Sequence, residues 1–159
     1  MKTNAARILD GLHISYTISE YQVDENDLGA ETVARKVGMP VEQVFKTLVA
    51  RGDKTGVLMA CIPGAAELDL KALAVISRNK KVEMVHLKEV QPLTGYIRGG
   101  VSPLGAKKQY PVYIDASILQ WPEVAVSAGI RGKQIVLAPG DLVRAVKAQI
   151  GSLVRSQCK

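Results

Sequence analysis

The chain has 159 residues, of which 47% are apolar and 23% charged, with 21 Lys and Arg against 15 Asp and Glu for a net charge of +6. That is the usual balance for a soluble globular protein, and the length suits a single domain over residues 1–159 with a sizeable core. No apolar run approaches the ~18 residues that span a bilayer, and Cys61 and Cys158, the only cysteines, make no disulfide framework. The aromatic share is 4%, so the core is expected to be aliphatic and β-branched.

The start, Met1-Lys2-Thr3-Asn4-Ala5-Ala6-Arg7, carries no signal-peptide h-region and reads as that of a cytoplasmic protein. Residues 4–12 form a helix pattern with Ala5, Ile8, Leu9 and Leu12 on one face. Ile14, Tyr16 and Ile18 alternate with polar residues as a strand that can continue to Val23. Residues 30–37 form a short helix ended by Gly38, with Pro40 beyond. Val44–Ala50 and Val57–Ile62 read as a strand pair across residues 52–56. Asp69 caps a helix through Leu70, Leu73 and Ala74.

Lys81–Val85 is a short strand, and Leu87–Leu93 a helical turn closed by Thr94-Gly95. Val112–Ile114, Val124–Ser127 and Gln134–Ala138 are strands, the last two joined at Gly132-Lys133. Asp141 caps a final helix on which Leu142, Val146, Ile150 and Leu153 recur at helical spacing. Short strands interleaved with short helices, several strands in succession, imply an α+β fold with a mixed, mostly antiparallel, barrel-like sheet.

Three features can carry chemistry. Lys46 is a lone cation inside Val44-Phe45-Lys46-Thr47-Leu48-Val49-Ala50. With both strand faces largely apolar, it is either a partly desolvated ammonium awaiting an anion or an edge lysine with its head in water. Arg98-Gly99-Gly100-Val101-Ser102-Pro103-Leu104-Gly105 is a glycine loop. It serves either as a tight connection or to aim amides at negative charge. It matches neither the phosphate-binding P-loop nor the dinucleotide-binding glycine pattern.

The third feature, Val126-Ser127-Ala128-Gly129-Ile130-Arg131-Gly132, is either a plain turn or a small-residue pocket with a serine donor. No Ser/His/Asp triad is marked out, which disfavours a serine hydrolase. His13 and His86 have no second ligand at metal spacing, so no sequence-local zinc site is expected, while one assembled by the fold stays open. Cys61 reads as a small buried hydrophobe and Cys158 as an exposed residue near the end of the chain.

Together these pieces are more specific than singly. Phe45-Lys46-Thr47-Leu48, Gly95-Tyr96, Gly99-Gly100-Val101-Ser102-Pro103-Leu104-Gly105, Val126-Ser127-Ala128-Gly129 with Arg131-Gly132, and Leu137-Ala138-Pro139-Gly140-Asp141-Leu142 follow one another in order. Over nearly the whole chain the set resembles the YbaK family of aminoacyl-tRNA deacylases, also called the YbaK/ProRS-associated domain family. Leu68-Asp69-Leu70-Lys71 and Lys80-Lys81-Val82-Glu83-Met84 are similar too.

The resemblance implies a barrel-like sheet surrounded by helices, a site in a cleft, and no metal or cofactor. It implies trans-editing, the clearing of mischarged aminoacyl-tRNA, with cysteine on tRNA for proline as the first candidate. The thiol of the attached cysteine would attack its own ester. The need is physical, because a small apolar pocket separates near-isosteres poorly.

By position, Lys46 matches the family's site lysine, Gly100 a loop glycine whose backbone faces the scissile ester, and Ser127 a site serine; these would be the catalytic groups. Tyr21 falls where the family has a site tyrosine, and with Gly99, Ser102, Gly129 and Gln134 it would bind substrate. Gln134 falls where relatives have an aspartate; the amide keeps hydrogen bonding and loses the charge. Lys80, Lys81, Lys107, Lys108, Arg131 and Lys133 are either solvated surface charge or contacts to acceptor-stem phosphates. The expected partners are aminoacyl-tRNA and, as a candidate, prolyl-tRNA synthetase, with no membrane. Two other readings stay open: a deacylase for alanine or another small amino acid, and a non-catalytic tRNA- or synthetase-binding module.

Overall fold

Residues 2–155 are described by the computed structural model, and Cys158 lies outside them. Local signals set the helices. The Thr3 side chain accepts from the Ala6 N–H and starts α1 (Asn4–Gly11). α2 (Ala30–Val37) ends where Gly38 turns left-handed at φ 75°. The Asp69 carboxylate accepts from the Lys71 and Ala72 amides at 3.1 Å and starts α3 (Leu70–Ser77). α4 (Leu87–Thr94) begins in a capping box, the Glu89 carboxylate accepting from the His86 N–H at 3.1 Å. No helix among the described residues is long and apolar enough to cross a membrane.

The strands are β1 (Thr17–Glu20), β2 (Phe45–Gly52), β3 (Gly56–Pro63), β4 (Val82–Met84), β5 (Val112–Asp115), β6 (Val124–Ser127) and β7 (Lys133–Leu137). α5 (Pro139–Val146) and β8 (Gln149–Gly151) close the order. One sheet has three antiparallel strands, β1-β7-β6; the other has five, β4-β2-β3-β5-β8. Pairing is antiparallel from β4 through β3 and parallel from β3 to β5 and β5 to β8. The α+β class stands, while the sheet differs from the barrel-like expectation. Among the described residues the two sheets are joined by an isolated parallel bridge, Val44 to Ala125, and do not close.

The last helix is shorter than its apolar spacing suggests. α5 starts at Pro139, with Ala138 rather than Asp141 as N-cap, and stops at Lys147 with φ 54°. Ile150 pairs with Ile114 in the parallel β5–β8 ladder, and the Leu153 N–H donates to the buried Asp115 carboxylate at 2.8 Å. The last turn of α5 followed by β8 reproduces the three- and four-residue spacing, so the helical period runs across the break. β1 likewise begins at Thr17 rather than near Ile14, because His13 turns left-handed at φ 58°. The β6–β7 turn occupies residues 128–132, one step earlier than expected, closed by the Ala128 N–H on the Lys133 carbonyl.

Among the described residues three clusters form the core. Phe45, Met59, Cys61, Val126, Ile135 and Leu142 pack one face of both sheets. Ala50, Leu58, Ala60, Ile62 and Leu73 pack the other face of β2–β3 under α3. Ala34 of α2 covers Val44, Ala125 and Val136, where the sheets join.

The β2–β3 hairpin is held from behind by Asn79, whose Oδ1 accepts from the Lys54 and Thr55 amides at 2.9 and 3.0 Å. Its Nδ2 donates to Thr55 Oγ1 and Ser77 Oγ. A Cβ on Gly52 would lie 2.2 Å from Nδ2, so the amide lies flat on that glycine. Asn79→Ala should therefore cost about 2 kcal/mol, read as a lower urea midpoint at unchanged slope.

Candidate active site

β2 shares one edge between two partners. At its start Val44 bridges to Ala125 beside β6; at its end Ala50–Gly52 pair with β4, and the Val49 carbonyl accepts from the Val85 N–H. Between them, around Lys46–Leu48, no strand among the described residues pairs with that edge. A cavity of about 770 Å³ opens there. Residues 27–33, leading into α2, form one wall; Met84, Val85, Leu87 and Val90 form another; Arg98, Gly99 and Val101 close a third side.

Ser127 and Gln134 also line the cavity, and register explains why. Ser127 pairs with Gln134 across β6–β7, and Gln134 pairs with Ser19 across β1–β7. Paired residues share a face, so the three side chains form one row. Lys46 lies two residues beyond the Val44–Ala125 bridge and lines the same cavity as Ser127 and Gln134. The polar row lies next to the apolar one that α2 covers.

Burial pushes the Lys46 ammonium below its ordinary pKa, while the Glu67 and Glu31 carboxylates pull it back up. Lys46 forms no ion pair among the described residues, and Glu31 itself lines the cavity. The Ser127 hydroxyl accepts from the Gly129 N–H at 3.1 Å, which leaves its own hydrogen free to donate. Gln134 is 5% exposed, and its Oε1 is buried without a partner.

The glycine loop is fixed from outside the cavity. Arg131 Nε donates to the Arg98 carbonyl at 2.8 Å, tying the loop to the β6–β7 turn. The Tyr96 hydroxyl donates to the Leu104 carbonyl, and burial pushes its pKa up to about 12. Gly105 and Gly129 both abut that ring; a Cβ on either would come within 2.9 Å of it. Gly99 has φ 82° and presses on Leu28, while Gly100 packs on the Ile130–Arg131 backbone.

The residues expected at the site thus divide. Lys46, Gly99, Ser127 and Gln134 line one cavity. The Gly100 amide does not face it, being spent on the Ile97 carbonyl at 2.9 Å; the amides of Gly99 and Val101 have no such partner among the described residues. Ser102 is fully buried off the cavity, its Oγ accepting from the Leu104 N–H, so it shapes the loop rather than meeting a ligand. Gly129 stands behind Ser127 against Tyr96. Tyr21 lines a small void of about 10 Å³ on the far side of Asp27 and Leu28.

The basic residues are not gathered at the cavity. Lys80 and Lys108 are exposed and away from it, Lys81 pairs with Glu83 at 2.8 Å, and Lys107 reaches the Pro92 carbonyl at 3.4 Å. Lys133 pairs with Glu20 at 3.6 Å, and Arg131 is engaged by the loop. The exposed cation that does line the cavity is Arg98, which charge pattern alone did not single out. Glu31, Leu28 and Thr47 are also wall residues that the sequence left unmarked.

Cys61 is fully buried and its thiol is pushed up to about 12, which makes it inert as a nucleophile at neutral pH. Among the described residues no three His, Cys, Asp or Glu side chains group to hold a metal.

Lys46 supplies a stability test. Its folded-state pKa lies below the unfolded one, so the unfolded chain binds more protons and stability rises as pH climbs toward 10.5. Lys46→Met removes that burden. Its melting temperature at pH 7 should equal or exceed that of the wild type, and the two curves should converge above pH 10.5. A marked loss of stability at pH 7 would mean that the ammonium is part of the folded scaffold.

A family model described as an aminoacyl-tRNA editing domain matches residues 24–145. A protein of Enterococcus faecalis named "Putative Cys-tRNA(Pro)/Cys-tRNA(Cys) deacylase EbsC" is 46% identical over 156 residues, 98% of this chain and 95% of that one. The Escherichia coli multifunctional Ser/Thr-tRNA deacylase ProXp-y is 24% identical over 130 residues, 79% of this chain and 78% of its own. A crystal structure described as "a putative trans-editing enzyme for prolyl tRNA synthetase" superposes with a TM-score of 0.81 at 27% identity, covering 98% of this chain and 99% of the other. The chain belongs to the aminoacyl-tRNA editing domain family.

Proposed function

We propose that this chain, as a single domain in the cytoplasm, is a trans-editing deacylase that clears mischarged tRNA, with cysteinyl-tRNA for proline as its first substrate. The observation that carries the reading is a half-buried ammonium without an ion pair, Lys46, in a large cavity beside two unengaged loop amides. Such a cavity accepts an ester whose carbonyl becomes an oxyanion. The similarity to a protein named as a Cys-tRNA(Pro)/Cys-tRNA(Cys) deacylase supplies the amino acid.

The protein need not furnish a nucleophile. The cysteine sulfur forms a bond to its own carbonyl carbon, and the ester C–O bond breaks. The thiol proton ends on the ribose oxygen, and a cyclic thioester departs. The protein's part is then placement and charge. Lys46 and the Gly99 and Val101 amides would stabilise the oxyanion, more strongly for lying partly out of water. Ser127 would donate to the ester, and Arg98 at the rim would meet a phosphate of the tRNA end.

A second reading is favoured by the relative named for serine and threonine: a deacylase for another small amino acid on the same scaffold. A non-catalytic synthetase-binding module is the third.

One assay separates them. Purified protein is incubated, with EDTA present, with tRNA for proline charged separately with cysteine, alanine, serine or proline. Loss of the cysteine ester, with the proline ester intact, is the expected result. Loss of alanine or serine instead identifies the sibling, and binding without turnover identifies the module. Lys46→Ala should lower kcat/KM for the cysteine ester at least ~10²-fold; wild-type turnover in that variant removes Lys46 from the site. Phosphate contacts would make log affinity for tRNA fall linearly with log salt. An affinity unchanged between low and physiological salt would exclude them.

A further inference from the structure

Two buried side-chain polar atoms lack a hydrogen-bond partner among the described residues, Trp121 Nε1 and Gln134 Oε1, and of the two residues only Gln134 lines the cavity. A buried carbonyl left empty works against the fold, which an apolar side chain of similar size would not. Nor is the amide anchored: among the described residues Gln134 makes no side-chain hydrogen bond at either atom. Rotation about its last torsion, which is broad for an amide, can turn the carbonyl toward the cavity.

The groups that share the cavity say what would meet it. Lys46 is a donor, Ser127 has a free hydroxyl hydrogen, and Gln134, paired with Ser127, offers an acceptor once its amide has turned. An α-amino ester has the matching order, acceptor oxygens at one end and an N–H donor one carbon away. The acceptor at 134 is also neutral.

The geometry points to Gln134 as the residue that selects the α-amino group of the esterified amino acid, its carbonyl accepting from that group; the assignment rests on the deacylase reading above. It makes the site specific for aminoacyl rather than simple acyl esters.

The test couples a protein group to a substrate group. Wild-type protein is assayed on tRNA carrying cysteine and on the same tRNA carrying 3-mercaptopropionate, which keeps the thiol and ester and lacks only the amine. The expected preference for cysteine is at least ~10-fold in kcat/KM. Gln134→Met should shrink that preference to within about 3-fold while melting at or above the wild-type temperature, since no native hydrogen bond is lost. Gln134→Glu, which retains an acceptor, should keep the preference.

Equal hydrolysis of both esters by wild type, or an undiminished preference in Gln134→Met, overturns the assignment. If Gln134→Met does not fold, the wild-type arm and Gln134→Glu still decide: loss of preference in Gln134→Glu also overturns it. Hydrolysis of neither ester by wild type is a separate result, which overturns the deacylase reading and this assignment with it.

Discussion

A strand edge normally has one neighbour along its length; β2 has two, β6 at Val44 and β4 from Ala50 onward, and they do not meet. The gap follows from the isolated Val44–Ala125 bridge, which joins the sheets at one point and lets them splay. Everything proposed for the site depends on it. A strand pairing through the gap would occupy the space that the cavity now holds, and Lys46 would face packed chain. Because the two faces of β2 belong to different core clusters, the strand cannot shift register to close the gap without exposing one of them.

The remaining walls are positioned by contacts that never touch the cavity. Tyr96 lies behind the glycine loop and the β6–β7 turn, and Arg131 ties the two together through the Arg98 carbonyl. Small residues at 105 and 129 allow the ring its place, which accounts for glycines far from any ligand. Rigid support of this kind suits a site that works by positioning, where fixed donors need not reorganise as charge develops.

How much of this could be read from the sequence follows from the range of each signal. Local ones were legible: α2 between residue 30 and Gly38, the Asp69 cap, and the β2–β3 hairpin across residues 52–56. Longer-range ones were not. Leu142, Val146, Ile150 and Leu153 kept helical spacing while the chain passed from α5 into β8, a change decided by pairing with β5.

At the site, motif order brought out Lys46, Gly99, Ser127 and Gln134, which share a cavity. Adjacency in sequence misled for Ser102 and Gly100, whose polar groups are used inside their own loop. Arg98 and Glu31 stayed unmarked because nothing in a single sequence says which exposed charge borders a hollow.

The gap in β2 also bears on the colloidal behaviour of the protein. Bare strand edges recruit other chains, and proteins usually shield them with charge, bulges or cover. Here α2, its preceding loop and the glycine loop roof the bare stretch. Lesions that loosen this roof, such as a bulky residue at Gly99 against Leu28, would uncover a template for intermolecular β-pairing and favour insoluble protein during expression. Such a defect would resemble misfolding even though the catalytic groups were untouched.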